Sequence, residues 1–205
     1  MYLKLNVFIL LLCSGFSQAE SSEQKLQSFL TKLSQMSGQF TQIIVSGNGS
    51  DIRSATGTFK IKKPGMFDWR YIEPYEQQIV SNGIKIWIYD EDLEQVSIRK
   101  ISESLNSSPL SIFVSDTPVE NIFSIENMDK NDDIDWVKLT PKGDASSFEF
   151  IEIGLYRGDL SKMILQDNFG QTTRLLFNHI GKHTPIDAAD FQFKVPEGAD
   201  VFEEQ

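Results

Sequence analysis

The apolar periodicity of this chain changes once, near residue 39, from a helical repeat to an alternation at every second residue. Before that point one apolar stripe follows the spacing i, i+3, i+4, i+7 and i+10, and it consists of Leu26, Phe29, Leu30, Leu33 and Met36. Ser21 or Ser22 can cap this helix, and Gly38 can end it. A chain with one amphipathic helix followed mainly by alternating runs must bury most of its apolar side chains in a sheet.

The alternating runs are short and follow one another closely. In chain order they are FTQIIV, TGTFKIK, FDWRYI, QQIV, IKIWIYD, QVSIRKI, DWVKLTP, SFEFIEIGLY, SKMILQD and TTRLLFNHI, and FQFKV comes after a helical turn at 187–190. Turn signals such as Asn82-Gly83 and Arg157-Gly158-Asp159 separate them, which is typical of antiparallel hairpins. Because a twisted sheet of about ten strands tends to curl toward a barrel, we predict a mainly β fold of that kind.

The segment 103–125 breaks the alternation. Pro109 and Pro118 suit first-turn positions, after Ser108 and Thr117 as caps, so this segment predicts two short apolar helices. Laid across the concave side of a curled sheet, such helices close its open mouth. The residue pattern leaves open whether the space beneath them is filled or hollow.

The first 19 residues have the features of a cleaved secretory signal. Lys4 precedes a short apolar core, and Ser17-Gln18-Ala19 places small residues at the cleavage site. The apolar run is too short to span a bilayer. Leu12 before Cys13 disfavours a lipoprotein signal, so we expect residues 20–205 to form one exported, unlipidated domain without a disulfide.

The charge balance limits the partners of the chain. Its 19 lysines and arginines against 29 aspartates and glutamates give a formal net charge of −10. An acidic protein is repelled by phosphate backbones and by anionic lipid surfaces. We therefore expect no nucleic-acid partner and no stable membrane insertion.

Catalytic and metal-binding patterns are weak in this sequence. A GxSxG elbow is absent, and the single cysteine, Cys13, lies in the signal. His179 and His183 have the spacing of a zinc pair on a helix, but their segment alternates and contains Gly181. The acidic run 129–133 lacks the remaining residues of a calcium loop. We expect no metal, no cofactor and no enzymatic activity, although a glycosidase carboxylate pair has no fixed spacing that a sequence could reveal.

One long run carries a family resemblance. The segment GTFKIKKPGMFDWRYIEPYEQQIVSNGIKIWIYDEDLEQVSI resembles the signature of the LolA family, periplasmic carriers of outer-membrane lipoproteins. The matching positions are Gly57, Phe59, Pro64, Phe67, Trp69, Pro74, Val80, Ser81, Gly83, Trp87, Tyr89, Asp90, Leu93 and Gln95. Three further segments, at 38–42, 108–110 and 187–193, resemble the family's first strand, its lid-helix start and its ending.

The resemblance implies a hollow fold, an incomplete and strongly curved antiparallel β-barrel whose helices form a lid over an apolar cavity. Its implied lipid-binding residues are Leu33, Phe40, Phe59, Phe67, Trp69, Tyr71, Trp87, Tyr89, Ile112 and Phe113. Two positions depart from the family pattern. Lys63 stands where the family has an arginine that latches the lid, so the charge is kept and the planar donor fork is lost. Glu91 stands where a proline is common.

The resemblance also implies a function without covalent chemistry. A member of this family is a periplasmic monomer that takes acylated lipoproteins from an inner-membrane ABC transporter and hands them to an outer-membrane receptor. Three alternatives remain open. The receptor LolB has a similar fold but carries a lipobox cysteine and a protruding apolar loop. The others are a different periplasmic lipid-binding protein of this fold, and a hydrolase in a similar barrel.

Overall fold

The computed structural model describes residues 20–49, 52–101, 109–130, 132–143 and 146–203. The expected signal at 1–19 and the expected helix cap at Ser108 lie outside these ranges. In the part of the chain that the structure describes, no helix has the length and apolar character needed to cross a membrane.

The N-terminal helix α1 spans Ser22–Lys32 and begins at a capping box. The Ser21 side chain accepts a hydrogen bond from the Gln24 backbone, and the Gln24 side chain accepts one from the Ser21 backbone. The expected end at Gly38 is wrong, because the first strand begins at Gln35 and pairs there with Lys62. Met36 therefore reaches the core from a strand.

The described residues form one sheet of twelve strands. The strands are β1 Gln35–Val45, β2 Ile52–Lys62, β3 Met66–Glu73, β4 Gln77–Asn82, β5 Lys85–Asp90, β6 Gln95–Lys100, β7 Phe123–Met128, β8 Asp135–Pro141, β9 Phe148–Tyr156, β10 Asp159–Asp167, β11 Thr172–Gly181 and β12 Asp200–Glu203. Their order in the sheet is β12-β6-β5-β4-β3-β2-β1-β11-β10-β9-β8-β7. The pairing of β1 with β11 joins the two halves of the chain, and the edges β12 and β7 leave the sheet unclosed.

Two strands and one loop differ from expectation. β7 lies at the end of the segment predicted to be helical, and β12 pairs in parallel with β6 beyond the last predicted run. The predicted strand FQFKV is wrong. Its first residue, Phe191, ends a 3₁₀ helix (Ala188–Phe191) and is fully buried, and the residues after it continue without strand pairing.

Short helices and the inner face of the sheet enclose the main core. Helix α2 spans Ser111–Val114 and α3 spans Val119–Ile122. Helix α1 packs against β7 and β8, whereas α2 contacts β2. The core between them includes side chains from α1, α2 and most strands, among them Leu26, Phe40, Phe59, Trp69, Phe113, Val137, Ile153 and Phe177.

The outer face of β3 and β4 carries a second, smaller apolar layer. The 3₁₀ helix packs against both strands. The buried side chains Val80, Val96, Ile186 and Phe191 lie outside the main core. Lys62 of β2 donates a hydrogen bond to the carbonyl of Ile186 and ties the C-terminal segment to the sheet. The same strands are therefore covered by helical segments on both faces.

Candidate functional site: an apolar cavity under α2

A cavity of about 260 Å³ lies between the inner face of the sheet and the segment 109–113. Strands from both halves of the chain contribute to its wall, since β1 pairs with β11 at its centre. The lining residues are Met36, Gln42, Phe59, Ile61, Trp69, Tyr71, Ile79, Pro109, Leu110, Phe113, Phe148, Leu160, Met163, Leu165, Thr173, Leu175 and Phe177. The lining is predominantly apolar, which suits a hydrocarbon ligand.

A cluster of aromatic rings shapes one side of the cavity. Trp69 stacks on Phe40 with ring centroids 4.2 Å apart and on Phe59 at 5.5 Å. Phe177 meets Phe59 edge-on at 5.6 Å. Aromatic pairs at these separations attract each other beyond the effect of their buried area, so the ring contacts stabilise this part of the wall.

Gly57 makes the stacking of Phe40 on Trp69 possible. It lies opposite Phe40 in the β1–β2 pair. A Cβ atom at residue 57 would lie 2.0 Å from the carbonyl oxygen of Arg70 and 2.6 Å from Cζ of Phe40. Only glycine fits here, because the Arg70 carbonyl of β3 and the Phe40 ring occupy the space that a Cβ atom would need.

One hydrogen-bonded polar pair lies in the cavity wall. The Tyr71 hydroxyl donates to Oε1 of Gln42 over 3.1 Å. Burial raises the pKa of Tyr71, and contacts with the Trp69 and Gln42 side chains oppose that shift. The phenol therefore stays protonated at neutral pH and can hold the Gln42 amide in one orientation.

The turn after β2 ties the helices to the sheet. Nζ of Lys63 donates to the Leu30 carbonyl of α1 over 3.0 Å, and its backbone N–H donates to Ser34 over 2.9 Å. The N–H of Gly65 donates to the Val114 carbonyl of α2 over 2.9 Å. Burial lowers the pKa of Lys63, and the nearby charge of Asp116 opposes the change.

The partner of Lys63 corrects one expectation. The lysine was expected to reach the segments at 109–113 and 118–123. Its ammonium instead bonds α1, because the C-terminal carbonyls of a helix lack partners within the helix and attract a cation. The lid contact at this turn comes from the backbone of Gly65, whose φ of +68° suits glycine.

The ten residues expected to bind lipid fall into three groups. Phe59, Trp69, Tyr71 and Phe113 line the cavity. Leu33, Phe40, Phe67 and Ile112 belong to the same core but lie behind or beside the wall. Trp87 and Tyr89 lie on the outer face, where their rings pack against Phe193 at 6.2 and 6.0 Å. The expected place of these last two in the cavity wall is corrected.

Strand alternation explains this correction. Both faces of β5 are apolar, and Ile86 and Ile88 occupy the inner face, so Trp87 and Tyr89 must point outward. The later strands supply wall residues that were not predicted, including Met163, Leu165, Leu175 and Phe177. Their alternation was visible in the sequence, but the pairing of β1 with β11 was not.

Comparison with known proteins identifies the family of this chain. Residues 31–194 match the family described as "Outer membrane lipoprotein carrier protein LolA". The chain belongs to this family. An outer-membrane lipoprotein carrier protein of Methylococcus capsulatus is 40% identical over 197 residues, covering 95% of each chain. One from Ralstonia nicotianae is 42% identical over 196 residues, covering 93% of this chain and 91% of its own. LolA carriers are transport proteins rather than enzymes.

Solved structures confirm the LolA-type fold. A LolA superfamily protein from Nitrosomonas europaea has a TM-score of 0.51 and 11% identity, covering 84% of this chain and 96% of that one. An uncharacterised conserved protein from Thermus thermophilus has a TM-score of 0.57 and 12% identity, covering 90% and 100%. The predicted mainly β fold, an open and strongly curved antiparallel sheet with covering helices, is therefore confirmed.

Proposed function

We propose that this protein is a periplasmic carrier that holds the acyl chains of lipoproteins released from the inner membrane and delivers them to an outer-membrane receptor. The observation that carries the proposal is the apolar cavity of about 260 Å³ under α2, in a chain of the LolA family. In its wall, Phe59, Trp69, Tyr71 and Phe113 contact the hydrocarbon. Leu33, Phe40, Phe67 and Ile112 support that wall from behind.

Transfer energetics explain why such a cavity is needed. Each methylene group moved from water into an apolar site gains about 0.8 kcal/mol. A lipoprotein with long acyl chains therefore cannot cross an aqueous compartment bare at a useful rate. The carrier covers the chains without reacting with them, so the function requires no catalytic group.

The cavity is small for its cargo, which makes lid movement part of the mechanism. Cavities that enclose a small ligand usually measure about 300–1,000 Å³, and this one measures about 260 Å³. Acyl chains enter only when the segment 109–113 moves away from the sheet. Opening costs part of the binding free energy, which keeps affinity moderate and allows delivery.

The turn at Lys63 is the proposed latch of the closed state. Lys63 holds the end of α1, and Gly65 two residues later holds the end of α2. One turn thus restrains α2, which covers the cavity, and the end of α1, whose apolar face belongs to the same core. A lysine donates without the fixed planar fork of arginine, so the latch is weaker than an arginine latch in the same place.

The cellular setting completes the proposal. Cleavage after residue 19 exports residues 20–205 as one domain to the periplasm, where the protein acts as a monomer. Its cargo is acylated lipoprotein, loaded by an ATP-driven transporter in the inner membrane and unloaded by a receptor of higher affinity. The acidic surface keeps a shuttle of this kind from adhering to anionic membranes.

The proposal is tested with two matched variants and a lipoprotein-release assay. Trp69→Gln places an amide in the cavity wall, whereas Trp87→Gln makes the same change on the outer face. Lipoprotein-loaded spheroplasts are incubated with each purified protein, and the released lipoprotein that co-elutes with it is quantified. We expect release by the wild type and by Trp87→Gln, and a strong loss for Trp69→Gln. Absence of release by the wild type, or equal loss in both variants, contradicts a cavity-based carrier.

A further inference from the structure

The polar groups of the cavity wall are confined to one region. Among the described lining residues, only Gln42, Tyr71 and Thr173 carry a hydroxyl or a side-chain amide. Gln42 and Tyr71 are hydrogen-bonded to each other over 3.1 Å. They lie toward the end of β3 that is remote from Lys63, so they are separate from the latch. An apolar cavity with one oriented amide in its wall can bind a ligand that has one polar linkage.

The same two residues line a second space. A groove next to the cavity is bordered by Gln42, Arg53, Ala55, Tyr71, Pro74, Tyr75, Gln77, Asp90, Asp92 and Leu93. Gln42 and Tyr71 are shared by the two linings, and they therefore stand where the cavity meets the groove. The groove differs in character from the cavity because it combines charged side chains with two exposed apolar ones, Tyr75 and Leu93, at 71% and 62% exposure.

The hydrogen bond fixes what the Gln42 amide can offer a ligand. Its oxygen accepts from Tyr71, and its nitrogen carries two N–H donors. A donor held at the edge of an apolar space favours a carbonyl oxygen that arrives there together with a hydrocarbon chain. An acylglycerol has this composition, since its ester carbonyls lie between its chains and the group that it modifies.

We propose that Gln42, oriented by Tyr71, binds an ester carbonyl of the acylglycerol group of the cargo and so sets how deeply the chains enter. The inference rests on the proposed carrier function. The hydrocarbon lies under the segment 109–113, the ester linkage lies at Gln42, and the modified cysteine with the following peptide lies in the neighbouring groove. Arg53, Asp90 and Asp92 offer both signs of charge to that peptide.

Three probes separate recognition of the ester from recognition of the chain. The first is a synthetic peptide whose N-terminal cysteine carries an S-diacylglyceryl group with ester-linked chains, and the second is its ether-linked analogue. The third is diphenylhexatriene, an apolar dye without hydrogen-bonding groups. Dissociation constants are measured for the exported protein and its variants by dye fluorescence and by displacement of the dye.

The wild type is expected to bind the ester peptide about two- to tenfold tighter than the ether peptide, which corresponds to one neutral hydrogen bond. Gln42→Leu still binds the dye, which shows that the variant is folded, but it no longer prefers the ester peptide to the ether peptide. Tyr71→Phe reduces the preference because the amide is no longer held. Gln39→Leu is the matched control, since Gln39 lies in the same strand and is exposed on the outer face.

Other outcomes overturn the inference in distinguishable ways. If both peptides displace the dye and Gln42→Leu keeps the ester preference, the carrier function stands and Gln42 has no role in recognition. Equal binding of the ester and ether peptides by the wild type has the same meaning. If neither peptide displaces the dye from the wild type, the carrier proposal fails and this inference fails with it.

Discussion

The two faces of strands β3 and β4 are covered in different ways. On the inner face, Trp69 and Ile79 line a cavity that α2 covers incompletely. On the outer face, the 3₁₀ helix packs against the same two strands, and its residue Phe191 has no exposed surface. Both coverings are short helical segments with apolar side chains, so composition alone does not distinguish them.

The comparison shows that the inner face of these strands is packed less completely than the outer face. Protein interiors are normally filled to crystal density, and an empty space costs stability because its lining atoms lose contacts. The outer layer follows that rule. The inner layer leaves about 260 Å³ unfilled. An unfilled space lined by apolar side chains is the property that a carrier of hydrocarbon needs.

The largest expected effect comes from truncating the tightly packed covering. Phe191→Ala should lower the free energy of unfolding by about 3–5 kcal/mol, as for a fully buried aromatic side chain. Phe113→Ala in the inner covering should cost less, because that side chain already borders empty space. Denaturant titration of both variants provides the comparison. A loss for Phe113→Ala at least as large as that for Phe191→Ala would mean that the inner face is packed like the outer one.

The next effect concerns the aromatic wall. Gly57→Ala places a Cβ against the Arg70 carbonyl and the Phe40 ring, and overpacking of this kind costs about 1–3 kcal/mol. The Phe40–Trp69 stack must shift, so the affinity for an apolar dye should fall as well. Gly49→Ala is a control for the loss of a glycine, since no atom lies within 4 Å of the position of its Cβ, although its positive φ makes it mildly unfavourable. Unchanged dye affinity in Gly57→Ala would show that the stack does not shape the cavity.

Two adjacent lysines allow the proposed latch at Lys63 to be compared with the hydrogen bond that Lys62 makes on the outer face. Lys63→Met removes the hydrogen bond to Leu30, and Lys62→Met removes the one to Ile186. Each loss should be smaller than the ~1.5–3 kcal/mol of a fully buried hydrogen bond to a charged group, because both lysines are only partly buried. Lys63→Met alone should tighten dye binding and slow cargo release, since the closed empty state loses stabilisation.

Stopped-flow transfer from loaded carrier to purified receptor checks the kinetic part of this prediction. Lys63→Arg should act in the opposite direction and weaken apparent cargo affinity. Equal dye affinities and transfer rates for the wild type and both Lys63 variants would identify Lys63 as an ordinary turn residue.

The smallest effect is a pH dependence of the polar pair. Because burial raises the pKa of Tyr71 above 10.0, its contribution to stability is complete below about pH 10 and is lost as pH rises through the folded-state pKa. The wild type should therefore lose stability relative to Tyr71→Phe only as the pH rises above about 10. Parallel denaturation curves across this range measure the difference. A constant difference would show that Tyr71 has the same pKa in the folded and unfolded chain.

Much of the fold could be predicted from the sequence because alternation is a local signal. The run DWVKLTP coincides with β8, and most other predicted strands differ from the observed ones by a few residues at their ends. β12 could not be found in this way, since its four residues are all exposed and carry no alternation of burial. β7 could not be recognised as a separate strand because its residues follow directly on α3.

The site was less predictable because it depends on pairing between strands that are far apart in the sequence. Alternation places Trp87 and Tyr89 together on one face of β5, but with apolar residues on both faces it cannot say which one is inner. Phe177 enters the wall only because β11 pairs with β1, more than 130 residues earlier in the chain. The ammonium of Lys63 finds its acceptor in α1 for the same reason, since the partner lies 33 residues away.

Photocrosslinking tests most directly whether the inner face is the acyl-chain site. A benzophenone amino acid replaces Trp69 in the cavity wall or, in the matched variant, Phe193 on the outer face. Each carrier is loaded with lipoprotein whose acyl chains are radiolabelled and is then irradiated. We predict a labelled carrier–lipoprotein adduct at position 69 and none at position 193. Adducts of equal yield at both positions, or an adduct at position 193 alone, would contradict the account.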